Sequence, residues 1–97
     1  MIVADLSLIP MGTGTSASEY VKAVYELLRE MGVSFNAGAM STSVETNSFE
    51  ELFSIVERAN RRLEDMGVKR IITKINIDYR LDKAISMETK LRASEMM

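Results

Sequence analysis

The two halves of the chain carry the same arrangement of motifs. In each half a serine, followed three residues later by a glutamate, precedes apolar residues at helical spacing, and a Met-Gly-Val sequence follows them. Ser-x-x-Glu is typical of a helix N-terminus, and glycine just after an apolar stripe is typical of a C-terminus. The copies span 16–33 and 48–68. The repeat predicts two capped helices, the first at about 17–31 and the second at about 49–66.

Alternating apolar and polar residues predict strands around these helices. In the segment 71–78 the odd positions are Ile, Thr, Ile and Ile, and the even positions are Ile, Lys, Asn and Asp. Side chains alternate across a strand, so one face of this segment is apolar and the other polar. Strands are expected at 1–9, at 33–40, at 42–46 and within 68–83, where the strand runs into a charged turn. Gly38 weakens the second strand and is typical of a bulge or a close backbone approach.

The order of elements predicts an α+β protein. Strand, helix, strand, strand, helix, strand is the βαββαβ order of the ferredoxin-like fold, and 86–95 adds a short C-terminal helix. Ile85, Leu91 and Met87 are expected to dock this helix. One such domain is expected over 1–97, with an antiparallel sheet in the order 4-1-3-2 and both main helices on one face. The other face would gather the side chains of two neighbouring strands: Val3, Asp5, Ser7 and Ile9 beside Ile72, Lys74, Asn76 and Asp78.

Composition excludes several function classes. The chain has no cysteine and no histidine, which removes thiolate chemistry, the commonest general base and the commonest metal ligand. A net charge of −2 gives no electrostatic footprint for nucleic acid. No apolar run approaches the ~18 residues of a membrane helix, and Asp5 interrupts the apolar N-terminal segment. We expect a soluble cytoplasmic protein without a metal, a cofactor, a nucleic-acid partner or a membrane partner.

The mixed face of the sheet is the first candidate for function. Val3, Ile9 and Ile72 would be poorly placed in water, so this face is expected to form an interface between copies of the chain. One interpretation stops there, with Asp5 and Lys74 as an incidental ion pair. The other adds a small polar ligand at the interface, since ligand sites are mostly apolar with a few placed hydrogen-bonding groups.

The loop before the first helix is the second candidate. Gly12 and Gly14 allow tight turns, and the N–H groups of a helix N-terminus attract anions. An anion is therefore predicted near Thr13, Thr15 and Ser16. The alternative is an ordinary N-cap loop, because the sequence has neither a P-loop lysine nor a third glycine at dinucleotide-binding spacing.

Two other users of this topology fit poorly. RNA-binding ferredoxin-like domains stack bases on aromatic residues of the central strands, and the mixed face has none. Acylphosphatase-like enzymes place an arginine in the loop after the first strand, and this loop has none. An enzyme of another kind would need an acid–base pair, for which only Asp5 with Lys74 is available. A metal site of Asp5, Asp78 and Asp82 is not supported by their spacing.

Three ordered motifs resemble those of the small thiamine-binding protein family, in the YkoF-like superfamily. They are Ser7-x-x-Pro10-x-Gly12-Thr13-Gly14, then Met40-Ser41-Thr42-x-Val44-Glu45, then Thr73-Lys74-Ile75-x-Ile77-Asp78-x-Arg80-x-Asp82-Lys83. The resemblance covers almost the whole chain, including Met87-Glu88-x-Lys90-Leu91. It departs at Ser41, where the family usually has glycine, and at Leu81, where it commonly has arginine.

The resemblance implies a homodimer or a dimer of dimers that binds thiamine or its hydroxymethylpyrimidine moiety, free or phosphorylated, without catalysis. Amides and hydroxyls suit a pyrimidine because each can donate and accept. The expected ligand-binding residues are Ser7, Met40, Thr42, Lys74, Asn76 and Arg80. Lys74 and Arg80 favour a phosphate or neutral pyrimidine over cationic thiamine, unless Asp5 or Glu45 supplies a counter-charge. The alternative function is a structural or regulatory homo-oligomer without a ligand.

Overall fold

One antiparallel sheet with two helices on one face forms the fold. The computed structural model describes residues 1–14, 18–82 and 84–95. The elements are β1 (Ile2–Met11), α1 (Ser18–Glu30), β2 (Ser34–Ala37), β3 (Thr42–Thr46), α2 (Phe49–Asp65), β4 (Arg70–Asp78) and α3 (Met87–Glu95). The strand order is β2-β3-β1-β4, and all three pairings are antiparallel. The predicted α+β ferredoxin-like βαββαβ arrangement, with order 4-1-3-2 and a short C-terminal helix, is confirmed.

Both Met-Gly-Val sequences end a helix in the same way. Gly32 and Gly67 have φ angles of 67° and 93°, a region that glycine enters without strain. The N–H groups of Val33 and Val68 donate to carbonyl oxygens of the last helical turn, at 3.0 and 3.1 Å. This is the Schellman arrangement, which satisfies carbonyls that the helix leaves unpaired. The repeated motif therefore fixes where each helix turns back towards the sheet.

The predicted serine cap is present on α2. The Ser48 hydroxyl accepts a hydrogen bond from the Glu51 N–H at 3.1 Å. The Glu51 carboxylate accepts one from the Asn47 N–H at 3.1 Å, one residue earlier than a capping box requires. The equivalent serine before α1, Ser16, lies outside the described residues.

Substituting this cap should destabilise the protein. We expect Ser48→Ala to lower the free energy of unfolding by about 0.5–2 kcal/mol, because the Glu51 N–H in the first helical turn loses its hydrogen-bond partner. Ser54→Ala makes the same chemical change inside α2, where alanine has the higher helix propensity, and should cost less. Urea denaturation of both variants measures the difference. Equal losses would mean that Ser48 does not act as a cap.

The core lies between the sheet and the two long helices. Even-numbered residues of β1 and β3 face it, together with the apolar stripes of α1 and α2. Leu28, Leu52 and Ile55 are fully buried at its centre. Thr42 and Thr46 also point to this side of the sheet and are buried. The predicted apolar face of β4 adjoins this core, because Ile71 and Ile75 pack against it.

The C-terminal helix covers part of the other face, which the sequence analysis expected to be open. In the sheet register Val3 lies opposite Glu45 on β3 and Asp78 on β4. The Glu45 carboxylate accepts a hydrogen bond from the Met87 N–H at 2.5 Å. Asp78 forms an ion pair with Lys90 of α3. Polar contacts thus hold α3 against the strands on both sides of Val3, and Val3 is buried.

Docking of the C-terminal segment depends on different residues from those expected. Ile85, which precedes α3, is buried as predicted. Leu91 was expected to dock beside it but is 55% exposed. The polar contacts of the first turns hold α3 instead, so its apolar content alone was a poor guide.

The strand β2 is shorter than predicted, because it ends before Gly38 rather than at Met40. The Gly38 N–H donates to the Ser41 carbonyl at 2.9 Å, which turns the chain sharply towards β3. A Cβ atom on Gly38 would lie only 2.7 Å from that oxygen, so the turn requires glycine. The close backbone approach expected at this glycine is therefore present, and it closes a hairpin.

Candidate functional site

A cavity lies beside the part of β1 that extends beyond the end of its partner strand β3. The pairing of β1 with β3 ends at Leu6 opposite Thr42, whereas the pairing with β4 continues to Met11. Beyond Thr42 the turn at 38–41 replaces a strand, which leaves a gap beside β1. The first half of α1 closes over the gap, and the resulting cavity has a volume of about 210 Å³.

The cavity wall is apolar with a few hydroxyl groups. Leu6, Leu8 and Val24 provide aliphatic surface. Tyr20 and Tyr25 project from α1, and Thr42 lies at the end of β3. Such a lining suits a flat, weakly polar ring, because few groups demand hydrogen bonds and those present can donate or accept.

An aromatic stack holds one wall in place. The ring of Tyr25 stacks on Phe35 of β2, with centroids 5.7 Å apart and planes inclined by 22°. The guanidinium of Arg29 lies over the ring of Phe35, 5.8 Å from its centroid. Aromatic and cation–π contacts of this kind contribute about 0.5–1.5 kcal/mol each. The position of Tyr25 is therefore set before any ligand arrives.

Three of the expected ligand-binding residues border this cavity: Ser7, Met40 and Thr42. Thr42 is 8% exposed, and its hydroxyl makes no hydrogen bond within the described part of the chain. Met40 stands at the tip of the turn, with 92% of its surface exposed. Thr42 thus supplies a hydroxyl inside the cavity, and Met40 supplies a flexible thioether at its opening.

The other expected residues lie across the sheet. Lys74 is opposite Ser7 and Asn76 is opposite Asp5, on the face that α3 partly covers. The Asn76 amide donates to Asp5 Oδ2 at 3.4 Å, while Asp5 Oδ1 is buried without a hydrogen-bond partner. The sequence analysis placed Asn76 next to Ser7 and paired Asp5 with Lys74. The ion pair is wrong, since the described residues contain none between Asp5 and Lys74. Asn76 does share a face with Ser7, but the residue directly opposite Ser7 is Lys74.

Arg80 has a different neighbour again. Its guanidinium donates to both carboxylate oxygens of Asp82, at 2.5 and 2.9 Å. The hydrogen bond to Asp82 raises the pKa of Arg80 above its ordinary value, so this side chain keeps its positive charge. The sheet thus separates the expected ligand set. Met40 and Thr42 lie at the cavity, whereas Lys74 and Asn76 lie on the opposite face. Ser7 borders the cavity, although its odd position in β1 puts its side chain on the face of Lys74.

Comparison with known proteins decides the family. Residues 4–95 match the family model described as thiamine-binding protein. The chain belongs to this family. The resemblance found in the sequence motifs is thereby confirmed, and it extends over almost every residue of the ferredoxin-like fold described above.

Relatives cover the chain from end to end. A UPF0045 protein of Methanothermobacter thermautotrophicus is 34% identical over 94 residues, which are 96% of this chain and 95% of the relative. The crystal structure of the hypothetical protein MJ1052 of Methanocaldococcus jannaschii has a TM-score of 0.86, with 33% identity over 99% of this chain and 97% of that one.

A second structure carries a functional description. It is a Thermotoga maritima protein provisionally assigned to thiamine biosynthesis or salvage, with a TM-score of 0.82 and 25% identity. The alignment covers 96% of this chain and 97% of the Thermotoga chain. The similarity therefore concerns the whole fold.

The predicted anion loop can be followed only in part. Gly12 and Gly14 have φ angles of 75° and 89°, as expected for tight turns. Thr13 lies between them, whereas Thr15 and Ser16 are outside the described residues. The loop joins the end of β1 to the start of α1, and both of these elements border the cavity.

Other site classes find little support in residues 1–14, 18–82 and 84–95. No group of three or more Asp and Glu side chains there could hold a metal ion. No helix there is long and apolar enough to cross a membrane.

Sequence reasoning missed the two tyrosines of the cavity. Tyr20 falls on the stripe formed with Val24 and Leu28, each four residues from the last, which is the buried face of α1. An aromatic residue with a hydroxyl at the first turn of such a stripe was the available signal. Tyr25 is one residue off the stripe, and only its stacking on Phe35 assigns it to the cavity.

Proposed function

We propose that this protein binds thiamine or its hydroxymethylpyrimidine moiety without transforming it, and that the pyrimidine ring occupies the cavity between α1 and the sheet. One observation carries the proposal. In a chain of the thiamine-binding family, the cavity combines aliphatic walls with the hydroxyls of Tyr20 and Thr42. The chain has no histidine or cysteine to supply the commonest catalytic groups.

The size of the cavity favours a single ring. Its volume of about 210 Å³ is below the ~300–1,000 Å³ of pockets that enclose drug-sized ligands. A pyrimidine with its hydroxymethyl group needs less space than two-ring thiamine. The rest of a larger ligand would extend past Met40 towards solvent. A phosphate would lie at the predicted anion site of Thr13, Thr15 and Ser16, because the N–H groups of a helix N-terminus attract anions.

The polar groups match the pyrimidine edge. Ring nitrogens accept hydrogen bonds, and the exocyclic amine donates one. The hydroxyls of Thr42, Tyr20 and Tyr25 can take either role. The Met40 thioether offers a polarizable surface to the ring face or edge. Ser7 lies at the rim, where the chain of β1 passes along the cavity.

A second candidate site lies on the opposite face. The buried Oδ1 of Asp5 has no partner in the described residues, and an unpaired buried carboxylate oxygen is costly. Asn76 contacts the same carboxylate, and Lys74 and Arg80 could approach a phosphate from nearby. A ligand there would be cationic at one end, as thiamine is, because Asp5 would supply the counter-charge.

The proposal includes assembly of the chain with itself, as a homodimer or a dimer of dimers. Ile9 and Ile72 face each other across β1 and β4 and are 38% and 36% exposed. Val3, which was expected to belong to the same contact, is covered by α3. We expect sedimentation velocity at micromolar concentration to give an assembly larger than one chain. A monomer at that concentration would contradict the interface.

Isothermal titration calorimetry tests the ligand. Hydroxymethylpyrimidine, thiamine and thiamine phosphate are titrated into the wild type, Thr42→Val and Thr46→Val. Loss of one hydrogen bond should weaken binding to Thr42→Val by about 2- to 12-fold. Thr46 faces the same side of β3 but bonds the Ser48 carbonyl, so its variant should lose stability without losing affinity.

Asn76→Ala is the matching variant for the second candidate site. Weaker binding to Asn76→Ala together with unchanged binding to Thr42→Val would move the ligand to the opposite face. No heat with any of the three compounds would leave a structural or regulatory homo-oligomer as the better account.

A further inference from the structure

The outer edge of β4 is a long strand edge that has no partner in the described residues. β4 has nine residues and pairs only with β1 there. The sheet's other edge, β2, has four residues and turns away at Gly38. An edge strand presents a row of unpaired N–H and C=O groups that another strand can use. β4 contains neither glycine nor proline, so its sequence does not prevent such pairing.

An exposed apolar cluster lies beside this edge, on the helix-covered side. It consists of Phe49 and Phe53 of α2, Ile77 of β4 and Tyr79. The ring of Phe49 contacts Phe53 at 6.1 Å and Tyr79 at 4.9 Å between centroids. Phe53 and Tyr79 are more than half exposed. Contiguous apolar surface of this kind marks an interaction site more often than a solvated face. We call the edge and the cluster together the β4 surface.

We propose that the β4 surface pairs with the β4 surface of a second copy, antiparallel, with Asn76 on the two-fold axis. A two-fold contact places the same patch on both partners. Antiparallel pairing about Asn76 sets Lys74 opposite Asp78 of the other chain, twice, and Ile75 opposite Ile77, twice. Oppositely charged cross-strand pairs stabilise a sheet, whereas like charges destabilise it.

Charge selects this register among those that the ladder allows. Along β4 the N–H and C=O groups point alternately outward and towards β1. Residues directly opposite each other in an antiparallel pair must have the same orientation, so a two-fold axis must relate a residue to its own copy. An axis at Lys74 opposes two lysines, and an axis at Asp78 opposes two aspartates. An axis at Ile72 or Ile77 sets Lys74 against Arg70 or Arg80. Axes at Thr73 and Ile75 give Lys74 an uncharged partner.

The two charges are available for this pairing. Lys74 forms no ion pair within the described residues, and Asp78 remains 44% exposed beside Lys90. A carboxylate has two oxygens and can accept from two cations. Lys74 therefore does not prevent pairing at the edge of β4. It disfavours, by charge repulsion, the registers in which it would lie opposite another cation.

The pairing does not depend on the ligand or on the contact at Ile9 and Ile72. It would join two four-stranded sheets edge to edge, whereas the other contact would join them face to face. The β4 pairing can thus be tested even if the proposed ligand does not bind.

Engineered cysteines test the register without background, because the chain has none. Asn76→Cys should form a disulfide-linked dimer on mild oxidation, since residues opposite each other on paired strands have Cβ atoms about 4.5–5.5 Å apart. Lys74→Cys is the matched control. Its own copies would be about 13 Å apart along the strands, so it should not cross-link by itself. A mixture of Lys74→Cys and Asp78→Cys should give the mixed dimer.

Each outcome decides the proposal. The proposal is supported if Asn76→Cys cross-links in the folded protein but not when the protein is unfolded in concentrated urea, and if Lys74→Cys remains monomeric. Cross-linking of Lys74→Cys alone overturns the register. If neither variant cross-links, the purified chain does not pair through β4, and the surface belongs to another partner or to none.

Charge exchange provides a second measurement that leaves Asn76 intact. Lys74→Asp creates two like-charged pairs and should weaken the dimer several-fold in sedimentation equilibrium. The double variant Lys74→Asp with Asp78→Lys restores opposite charges and should recover the dimer. Dimerisation that ignores Lys74→Asp, or that the double variant fails to recover, would contradict the pairing.

Discussion

Replacing Leu28 with alanine is expected to lower the free energy of unfolding by about 2–5 kcal/mol, the range for large-to-small changes in a core. Leu28 is fully buried and packs in the cluster that contains Leu52 and Ile55. The loss combines apolar contact with the cost of the cavity left behind. A domain of this size has only about 5–15 kcal/mol of stability, so this loss is a large part of the total.

Leu81→Ala is the matched control for this prediction. It makes the same chemical change at a residue that is 82% exposed, and it should change stability by less than about 0.5 kcal/mol. Denaturant unfolding of both variants provides the comparison, with protein concentration held constant because the chain is expected to self-associate. Similar losses at both positions would contradict the described core.

Filling the cavity should weaken ligand binding more than any single lost hydrogen bond. Val21 lies on α1 at the cavity and is 42% exposed, so a larger side chain there can enter the opening without displacing the core. We expect Val21→Trp to reduce affinity for hydroxymethylpyrimidine by at least about tenfold, equivalent to 1.4 kcal/mol. Calorimetric titration measures the change.

Lys22→Trp controls for the bulk of the new side chain. Lys22 is the next residue of α1, is exposed and does not line the cavity. Its variant should bind with nearly wild-type affinity. Equal affinity of wild type and Val21→Trp would mean that the ligand binds elsewhere.

The fold could be predicted because its signals are local and repeated. The Ser-x-x-Glu and Met-Gly-Val sequences specify helix ends through hydrogen bonds between residues close in sequence. Alternation then assigns β4 one face towards α2 and one away from it. The shortened β2 is different: Gly38 was recognised as a close approach, but its partner Ser41 was not evident from composition.

The site was harder to predict because it depends on register between strands. Ser7, Asn76 and Thr42 were expected to meet around one ligand. Thr42 pairs with Leu6, an even position of β1, and therefore points to the helices. Asn76 pairs with Asp5, an odd position, and points the other way. A one-residue change of register exchanges the two faces of a strand, and the sequence alone did not determine it.

The C-terminal helix illustrates a second limit. Its docking rests on Glu45 and Asp78, which meet Met87 and Lys90 across long stretches of sequence. Neither contact has a local pattern, because exposed charged residues usually remain solvated. As a result Val3 was assigned to an oligomer interface, although α3 of the same chain covers it.

The central claim is that a pyrimidine binds between α1 and the sheet. NMR of ¹⁵N-labelled protein titrated with hydroxymethylpyrimidine tests it most directly, because amide shifts locate the ligand residue by residue. The account predicts the largest, saturable changes at Leu8, Tyr20 and Thr42. Changes confined to Asp5, Lys74 and Asn76, or no saturable change at any residue, would contradict it.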